Sequence, residues 1–279
     1  MWRPEKYFFH ISDLLCIYLN LFIMQNLKNN LISIITVVKN AEETIEKSIQ
    51  SVIRQKYDNI EYIIVDGGST DKSLEIIKKY KEKIDKVVVE PDNGIWDAMN
   101  KGIKVASGDI IGFLNADDYY NLEALDLVNK YFINNKIDFL FGSVKKYKLM
   151  HGYSPWKIKW SFGFYTSHSV GFFIKRKSHI EVGSYNQKYL SSDLDFFYRM
   201  IVNFKLKGIS TKKDEILGEF SKGGFSSKVN YITHLKDLNK IRIDNNQSKI
   251  FVYFLYFIKI IKRPIKFLKA YLKLHYFKK

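Results

Sequence analysis

Short apolar runs alternate along the chain with segments of helical periodicity. The runs are rich in Val, Ile and Leu and have the length of buried strands of a parallel sheet. The segments between them place apolar residues three or four positions apart, as amphipathic helices do. This alternation predicts an α/β fold with a mostly parallel central sheet, helices on its faces and right-handed crossovers. The predicted strands are 31–38, 60–65, 86–89 and 109–114, and the predicted helices are 40–55, 74–80 and 96–105.

The second half of the chain continues the pattern less regularly. Runs at 139–144 and 170–175 predict two further strands. The pattern therefore divides the chain into an N-terminal extension, two halves of one α/β domain, and a helical tail that is basic and amphipathic from residue 249 onward. These four parts are 1–30, 31–120, 121–228 and 229–279.

The N-terminal extension carries an apolar segment, 11–24, that Ser12, Asp13 and Asn20 interrupt. It lacks a small-residue cleavage site, so we do not expect a secretory signal peptide. Two interpretations stay open. Translation starts at Met24, directly before the first strand, or the extension contacts a membrane.

The C-terminal tail holds most of the excess charge. The net charge of the chain is +16, and residues 249–279 contain nine Lys or Arg and no Asp or Glu. The longest uncharged apolar run, 250–258, is far shorter than the roughly 20 residues that span a bilayer. Lys266, Lys269 and Lys273 recur at helical spacing between apolar residues, which predicts a helix lying on an anionic membrane surface. The alternative is a helix packed on the domain with solvated lysines.

Composition narrows the class of protein. Hydrophobic residues make up 46% and aromatic residues 16%, which excludes a mainly disordered chain. The single cysteine, Cys16, excludes a disulfide framework and a cysteine-based zinc site, and it fits a reducing, intracellular setting. We do not expect nucleic acid as a partner, because the cations cluster in an apolar tail and no nucleic-acid-binding motif is present.

Polar side chains follow the predicted strands of the first half. Thr36 lies near the end of the first strand, Asp66 begins DGGSTD after the second, and Asp117 and Asp118 end the sequence NADD after the fourth. Ligands bind at this edge of open parallel sheets. Carboxylates that converge there need a cation beside them, such as an arginine or a metal ion. Neither G-x-G-x-x-G nor G-x-x-x-x-G-K-[ST] occurs, which argues against a dinucleotide-binding domain and a P-loop NTPase.

These segments, together with EPDNGIWDAMNKG between them, resemble the bacterial family 2 glycosyltransferases of the Rossmann-like GT-A fold. The resemblance is strong over 31–120 and weaker over 121–225. It implies inverting transfer of a sugar from a nucleotide-diphosphate sugar, with a UDP-sugar expected, in the synthesis of capsule, exopolysaccharide or O-antigen. It also implies Mg²⁺ or Mn²⁺ bound by Asp117 and Asp118. The implied donor contacts are Thr36, Asp66 (to the base), Asp92, Asn93, Gly94, Asn100 and Asp117.

The second half resembles the acceptor side of the same family. GSYN followed by SSDLDFFYR resembles the loop and helix that present the catalytic base. The resemblance implies that Asp193 is the base, with Asp195 as the competing candidate, while a helix-capping role for Asp193 stays open. His168 and Arg199 are expected on the acceptor side.

The expected acceptor is a glycan or a lipid-linked saccharide at the inner face of the cytoplasmic membrane, so the expected location is cytoplasmic and peripheral to that membrane. Two alternative functions stay open. One is a basic nucleic-acid-binding module, and the other is a catalytically inactive glycosyltransferase-like scaffold.

Overall fold

The structure, a computed structural model, describes residues 29–160, 164–167, 169–221 and 229–275, without the side chains of 274 and 275. The predicted extension 1–30 lies outside the described residues except for its last two. Strands and helices alternate through the first half, as predicted. These elements are β1 (Ile32–Val38), α1 (Ile45–Ile53), β2 (Ile60–Asp66), α2 (Ser73–Lys79), β3 (Lys86–Val89), α3 (Ile95–Val105) and β4 (Ile110–Asn115).

The second half is built from shorter elements and ends in three consecutive helices. Its elements are β5 (Tyr119–Tyr120), α4 (Ala124–Asn134), β6 (Phe139–Phe141), β7 (Ser143–Lys145), β8 (Leu149–Met150), β9 (Phe172–Lys175), α5 (Arg176–Val182), α6 (Ser192–Tyr198), β10 (Gly208–Ser210) and β11 (Ile216–Glu219). A π-helical turn, Arg199–Asn203, extends α6. The tail helices are α7 (Tyr231–Asp244), α8 (Lys249–Lys262) and α9 (Pro264–His275).

Seven strands form the central sheet in the order β10-β6-β9-β4-β1-β2-β3. All neighbouring pairs are parallel except the two that involve β9. The predicted α/β class with a mostly parallel sheet is therefore confirmed. In this register Val38 of β1 lies opposite Asp66 of β2, and Val37 lies opposite Asn115 of β4. The ends of β2 and β4 thus flank the end of β1.

Both faces of the central sheet are covered, so successive residues of each strand enter different halves of the core. Ile34 and Ile64 belong to one buried cluster, while their chain neighbours Ile35 and Ile63 belong to the other. Side chains of a strand alternate between faces, and a strand buried on both faces needs apolar residues at every position. This is why the strands are visible in the sequence as continuous apolar runs.

The predicted strand 139–144 breaks at Gly142. β6 before the glycine belongs to the central sheet, whereas β7 after it belongs to a second sheet in the order β5-β11-β7-β8. A Cβ atom at Gly142 would lie 2.0 Å from the Leu217 side chain, so only glycine allows this close approach to β11. The apolar pattern continues across the break, and the sequence therefore suggested one strand.

The tail helices pack on the domain in succession. α7 packs against α6, and both α8 and α9 pack against α7. On its outer side α8 exposes an apolar stripe at helical spacing, and α9 exposes a second one. These exposed residues are Ile250, Tyr253, Phe254, Phe257 and Ile261 on α8, and Ile265, Leu268, Tyr271 and Leu272 on α9. Across the part of the chain that the structure describes, no helix combines the length and hydropathy that a membrane span requires.

Candidate active site

Asp66 ends β2 with a completely buried side chain. Its Oδ1 accepts hydrogen bonds from the backbone N–H groups of Gly68 at 2.9 Å and Ser69 at 2.8 Å. Its Oδ2 is buried and has no hydrogen-bond partner among the described residues. A buried acceptor left unpaired costs about 1–3 kcal/mol, so this oxygen is suited to a ligand that brings a donor group.

The loops that follow β1 and β2 are tied to each other. Asn40, at a φ of 51°, accepts a hydrogen bond through Oδ1 from the N–H of Thr70 at 2.8 Å. Asp71 accepts from the N–H of Ser73, the first residue of α2, at 3.0 Å. These contacts hold the DGGSTD turn, and with it Asp66, in one conformation.

Asp92 lies directly against the Asp66 turn. A Cβ atom at Gly67 would fall 1.6 Å from Oδ2 of Asp92, so the contact requires glycine at this position. Oδ1 of Asp92 accepts from the N–H of Gly94 at 3.0 Å and lies 3.6 Å from Nζ of Lys39. The structure therefore brings Asp66 and Asp92 together and adds a cation, Lys39, beside them.

Asn93 and Gly94 form the exposed start of α3 next to Asp92. Gly94 has a φ of 111°, which favours glycine, and nothing lies within 4 Å of a Cβ built there. The N–H of Asn93 donates to Oδ2 of Asp97 at 3.0 Å. Both residues are thus accessible to a ligand beside Asp92.

Asn100 does not point into this site. Its Nδ2 donates to the carbonyl oxygen of Tyr185, and its Oδ1 accepts from the N–H of Tyr185, both at 2.9 Å. Trp96 adds a hydrogen bond from Nε1 to the carbonyl oxygen of Leu190 at 3.1 Å. The Asn100 amide therefore fixes the loop that precedes Asp193, and its contact with the donor stays a prediction.

Thr36 is not accessible either. Its side chain is completely buried, and its Oγ1 lies 3.3 Å from the hydroxyl of Tyr62. Thr36 lies two residues before the end of β1, within the core of the sheet. The contact of Thr36 with a nucleoside stays a prediction.

The two aspartates of NADD have different surroundings. Asp118 is buried and accepts hydrogen bonds from Oγ of Ser169 at 2.7 Å and from the N–H of Ser221 at 2.9 Å. Burial raises the pKa of Asp118 to about 7. Through these two hydrogen bonds Asp118 joins the end of β4 to the second half of the domain, and its role as a metal ligand stays a prediction. Asp117 is partly exposed, and no described residue forms a hydrogen bond or ion pair with its carboxylate.

A divalent cation fits beside Asp117. The nearby Asn115, at the end of β4, has a buried Oδ1 without a partner among the described residues. Carboxylate and amide oxygens are ligands that Mg²⁺ and Mn²⁺ prefer. No three His, Cys, Asp or Glu side chains within the described ranges lie close enough together to hold a metal ion. The protein can therefore supply part of a coordination shell, and water or a bound molecule such as a diphosphate can supply the other ligands.

The unpaired oxygens of Asp66 and Asn115 lie on the two sides of β1. Since neighbouring strands lie about 4.8 Å apart, the two strand ends are separated by about 10 Å. The site thus extends along the edge of the sheet, with Asp66 at one end and Asn115 and Asp117 at the other.

Asp193 is the second residue of α6 and is partly exposed. Its Oδ2 accepts a hydrogen bond from the hydroxyl of Tyr165 at 2.9 Å. Burial raises the pKa of Asp193 to about 6, against the opposing effect of the Tyr165 hydrogen bond. The carboxylate is therefore charged at neutral pH, with a proton affinity close to that expected of a general base.

The carboxylate of Asp195, the competing candidate for the base, is hydrogen-bonded to other side chains of the protein. It is buried, and its oxygens accept from Nε of Arg199 at 3.0 Å and from Nδ2 of Asn245 at 2.9 Å. A carboxylate that is buried, ion-paired and hydrogen-bonded on both oxygens is not available to a substrate. The structure therefore favours Asp193.

The guanidinium of Arg199 likewise forms its hydrogen bonds with other groups of the protein. Besides Asp195, its guanidinium binds the carbonyl oxygens of Val182 and, at 2.8 Å, Ser184. It holds the loop before α6 from one side, as Asn100 does from the other. The acceptor-side role of Arg199 stays a prediction, and His168, the other residue expected on the acceptor side, lies outside the described residues.

Three residues of the site were missed from the sequence. Lys39 directly follows β1, and the same strand-end argument that selected Asp66 would have found it. Tyr165 and Asp237 carry no local signal, because only the tertiary structure brings them to α6.

Comparisons with known proteins agree with this fold. A sequence profile described as Glycosyl transferase family 2 matches residues 33–191. An uncharacterized glycosyltransferase of Haemophilus influenzae is 40% identical over 116 residues, which is 40% of this chain and 46% of that protein. The UDP-Glc:alpha-D-GlcNAc-diphosphoundecaprenol beta-1,3-glucosyltransferase WfgD of Escherichia coli is 34% identical over 114 residues, or 40% of this chain and 45% of that protein. The matches span less than half the length of these two relatives.

Solved structures share the fold at low sequence identity. S. aureus TarS 1–349 in complex with UDP-GlcNAc aligns with a TM-score of 0.63 and 17% identity over 81% of this chain and 70% of that one. Mannosyltransferase PcManGT from Pyrobaculum calidifontis, in complex with GDP-Man and Mn²⁺, aligns with a TM-score of 0.59 and 17% identity over 89% and 71%. Because the family profile covers more than half of the chain, the protein belongs to glycosyl transferase family 2.

Proposed function

We propose that the protein is a glycosyltransferase of the EC 2.4 class that transfers a sugar from a nucleotide-diphosphate sugar to an acceptor hydroxyl with inversion. The observation that carries the proposal is the unpaired, buried Oδ2 of Asp66 at the carboxyl edge of the sheet. A nucleobase ring N–H is a donor group that such an oxygen would accept. A UDP-sugar is the favoured donor, in line with the UDP-GlcNAc of the TarS complex and the UDP-Glc in the name of WfgD.

The diphosphate would extend from Asp66 toward Asn115 and Asp117. Asp117 and the amide oxygen of Asn115 would hold Mg²⁺ or Mn²⁺, and the Mn²⁺ in the PcManGT complex is consistent with this. A divalent cation bound there would neutralise the negative charge that develops on the leaving group. Lys39, ion-paired with Asp92, adds a positive charge at the Asp66 end of the site.

Asp193 would remove the proton from the attacking hydroxyl. An alcohol is a weak nucleophile at neutral pH, and a carboxylate with a pKa of about 6 can accept its proton as the bond to the anomeric carbon forms. A single base on the side opposite the leaving group corresponds to direct displacement, which inverts the configuration. Asp195, with both oxygens occupied, would not form the covalent intermediate that retention requires.

The acceptor would be a glycan or lipid-linked saccharide of bacterial surface polysaccharide synthesis. The name of WfgD specifies a lipid diphosphate as the carrier of its acceptor sugar. In this chain the exposed apolar stripes of α8 and α9, flanked by lysines, support docking to the anionic inner face of the cytoplasmic membrane. That location would bring the site to a lipid-linked acceptor.

Calorimetry with UDP and GDP, each with and without Mn²⁺, tests the donor side. We expect saturable binding of UDP that Mn²⁺ strengthens. If neither nucleotide binds under any condition, the proposed function is wrong. Turnover is then measured as UDP release from UDP-glucose and UDP-GlcNAc, with synthetic GlcNAc-diphosphate-lipid as the acceptor.

A further inference from the structure

We propose that Tyr165 and Asp237 are positioning residues for Asp193, Tyr165 by fixing its carboxylate and Asp237 by fixing the backbone from which α6 begins. The inference rests on the proposed role of Asp193 as the base. It assigns a function to two residues that lie far from Asp193 in the sequence and that belong to different parts of the chain.

Tyr165 holds one oxygen of the carboxylate. Its hydroxyl donates to Oδ2 of Asp193 at 2.9 Å. The Tyr165 ring packs on Phe197, one turn after Asp193 on the same helix, with 4.8 Å between ring centroids, and on Phe141 at 5.3 Å. Burial raises the pKa of the Tyr165 hydroxyl well above its usual value, so the group remains a hydrogen-bond donor throughout the working pH range. The aromatic packing fixes the donor, and the donor fixes the carboxylate.

Asp237 holds the start of the helix. Its carboxylate accepts hydrogen bonds from the N–H groups of Leu190 at 3.2 Å and Ser191 at 2.8 Å, the two residues that precede α6. Ser191 itself forms no side-chain cap of α6, so the support comes from outside the helix. Asp237 is part of α7, so a helix of the C-terminal tail holds the start of α6, the helix that carries Asp193.

Several titratable groups surround Asp193. Tyr165 faces it from the segment 164–167, Tyr185 from the loop before α6, and Asp237 together with His234 from α7. On its own helix, Asp195 and Arg199 pair with each other. Tyr165 stabilises the charged carboxylate and lowers the pKa of Asp193, whereas the negative charge of Asp237 raises it. Removing the two groups must therefore shift this pKa in opposite directions.

The test is a ¹³C NMR titration of the protein labelled at the aspartate carboxyl carbons. The Asp193 resonance is identified by its loss in Asp193→Asn. We expect Asp193 to titrate near pH 6 in the wild type, at higher pH in Tyr165→Phe and at lower pH in Asp237→Asn. Both substitutions preserve side-chain shape, and unchanged UDP affinity checks that each variant is folded.

Two matched substitutions serve as controls. Tyr153→Phe removes a hydroxyl from another ring that packs on Phe141, and Asp126→Asn removes a charge from α4. Neither should move the Asp193 titration. The inference is overturned if Tyr165→Phe and Asp237→Asn leave the titration unmoved, shift it in the same direction, or shift it no more than the controls do.

The titration needs no substrate, so its result is separate from that of the proposed function. If Asp193→Asn transfers sugar as well as the wild type, the proposed base role fails whatever the titration shows. If Asp193→Asn is inactive but the pKa of Asp193 is the same in Tyr165→Phe and Asp237→Asn as in the wild type, the positioning inference alone fails. In the active enzyme we expect the acidic limb of the kcat/KM profile to move with the Asp193 pKa, a change that loss of structural support alone would not produce.

Discussion

Asp66 and Asp193 lie on opposite sides of the proposed reaction, and different kinds of contact hold them. Asp66 ends a central strand, and its Oδ1 is fixed by Gly68 and Ser69, two and three residues along the chain. Asp193 is held by Tyr165 and, through the start of its helix, by Asp237. The donor side is thus built mainly from local sequence, and the base side from residues distant in the chain. This difference decides how much of each side could be predicted from the sequence.

The elements of the donor side could be predicted because their causes are local. Continuous apolar runs specify buried parallel strands, and polar residues directly after them must lie at the carboxyl edge. Asp66 and Asp117 lie at this edge. Thr36 lies within the core instead, since it is two positions before the end of its strand.

The base side could not be predicted to the same depth. The sequence suggested roles in substrate binding for Asn100 and Arg199, whose polar atoms bind backbone groups of the loop before α6. The break at Gly142 likewise depends on Leu217, 75 positions later in the chain. Polar residue type and spacing do not reveal whether a partner from elsewhere in the fold already occupies a side chain.

The largest expected effect is on the rate of sugar transfer, and it should distinguish the base side from the donor side. Asp193→Asn should lower the rate of sugar transfer by about 10²–10⁴-fold, because the variant cannot accept the proton of the attacking hydroxyl. UDP affinity, measured by calorimetry, should not change. Asp195→Asn serves as the matched substitution on the same helix, and a larger rate loss there than in Asp193→Asn would reverse the assignment of the base.

The second effect concerns the stability of the base side. Arg199→Ala should lower the free energy of unfolding by about 3 kcal/mol, because it leaves the buried Asp195 without its ion-pair partner. Urea denaturation measures the change. Lys188→Ala, which removes a more exposed ion pair with Asp244, should cost less than about 1 kcal/mol. Equal losses would mean that the Arg199 network contributes no more than a surface pair.

A smaller effect is expected for the tail. Lys266→Gln combined with Lys269→Gln should weaken binding to phosphatidylglycerol vesicles by about 30-fold, since each cation near an anionic surface contributes about 1 kcal/mol. Lys78→Gln combined with Lys79→Gln on α2 makes the same change in net charge and should have little effect. Equal weakening by both pairs would show that only the total charge matters.

The smallest expected effect is a change in the way that the stability of the folded protein depends on pH. The pKa of Asp118 is raised by burial to about 7, so protonation of Asp118 stabilises the folded protein at low pH. This contribution is complete below about pH 4, the ordinary range of an aspartate, and is lost as the pH rises through 7. Asp118→Asn should therefore flatten the stability profile between these values in thermal unfolding. An unchanged slope would contradict the buried, protonated Asp118.

The central claim is that the unpaired oxygen of Asp66 binds the base of the donor nucleotide. Calorimetric titration of UDP into Asp66→Asn tests it most directly, because the variant keeps an acceptor for Gly68 and Ser69 while replacing the free oxygen with an N–H donor group. We predict that UDP affinity falls at least about tenfold, as the loss of a hydrogen bond to a charged group implies. The exposed Asp58→Asn should bind UDP as the wild type does. Equal UDP affinity in Asp66→Asn and the wild type would contradict the account.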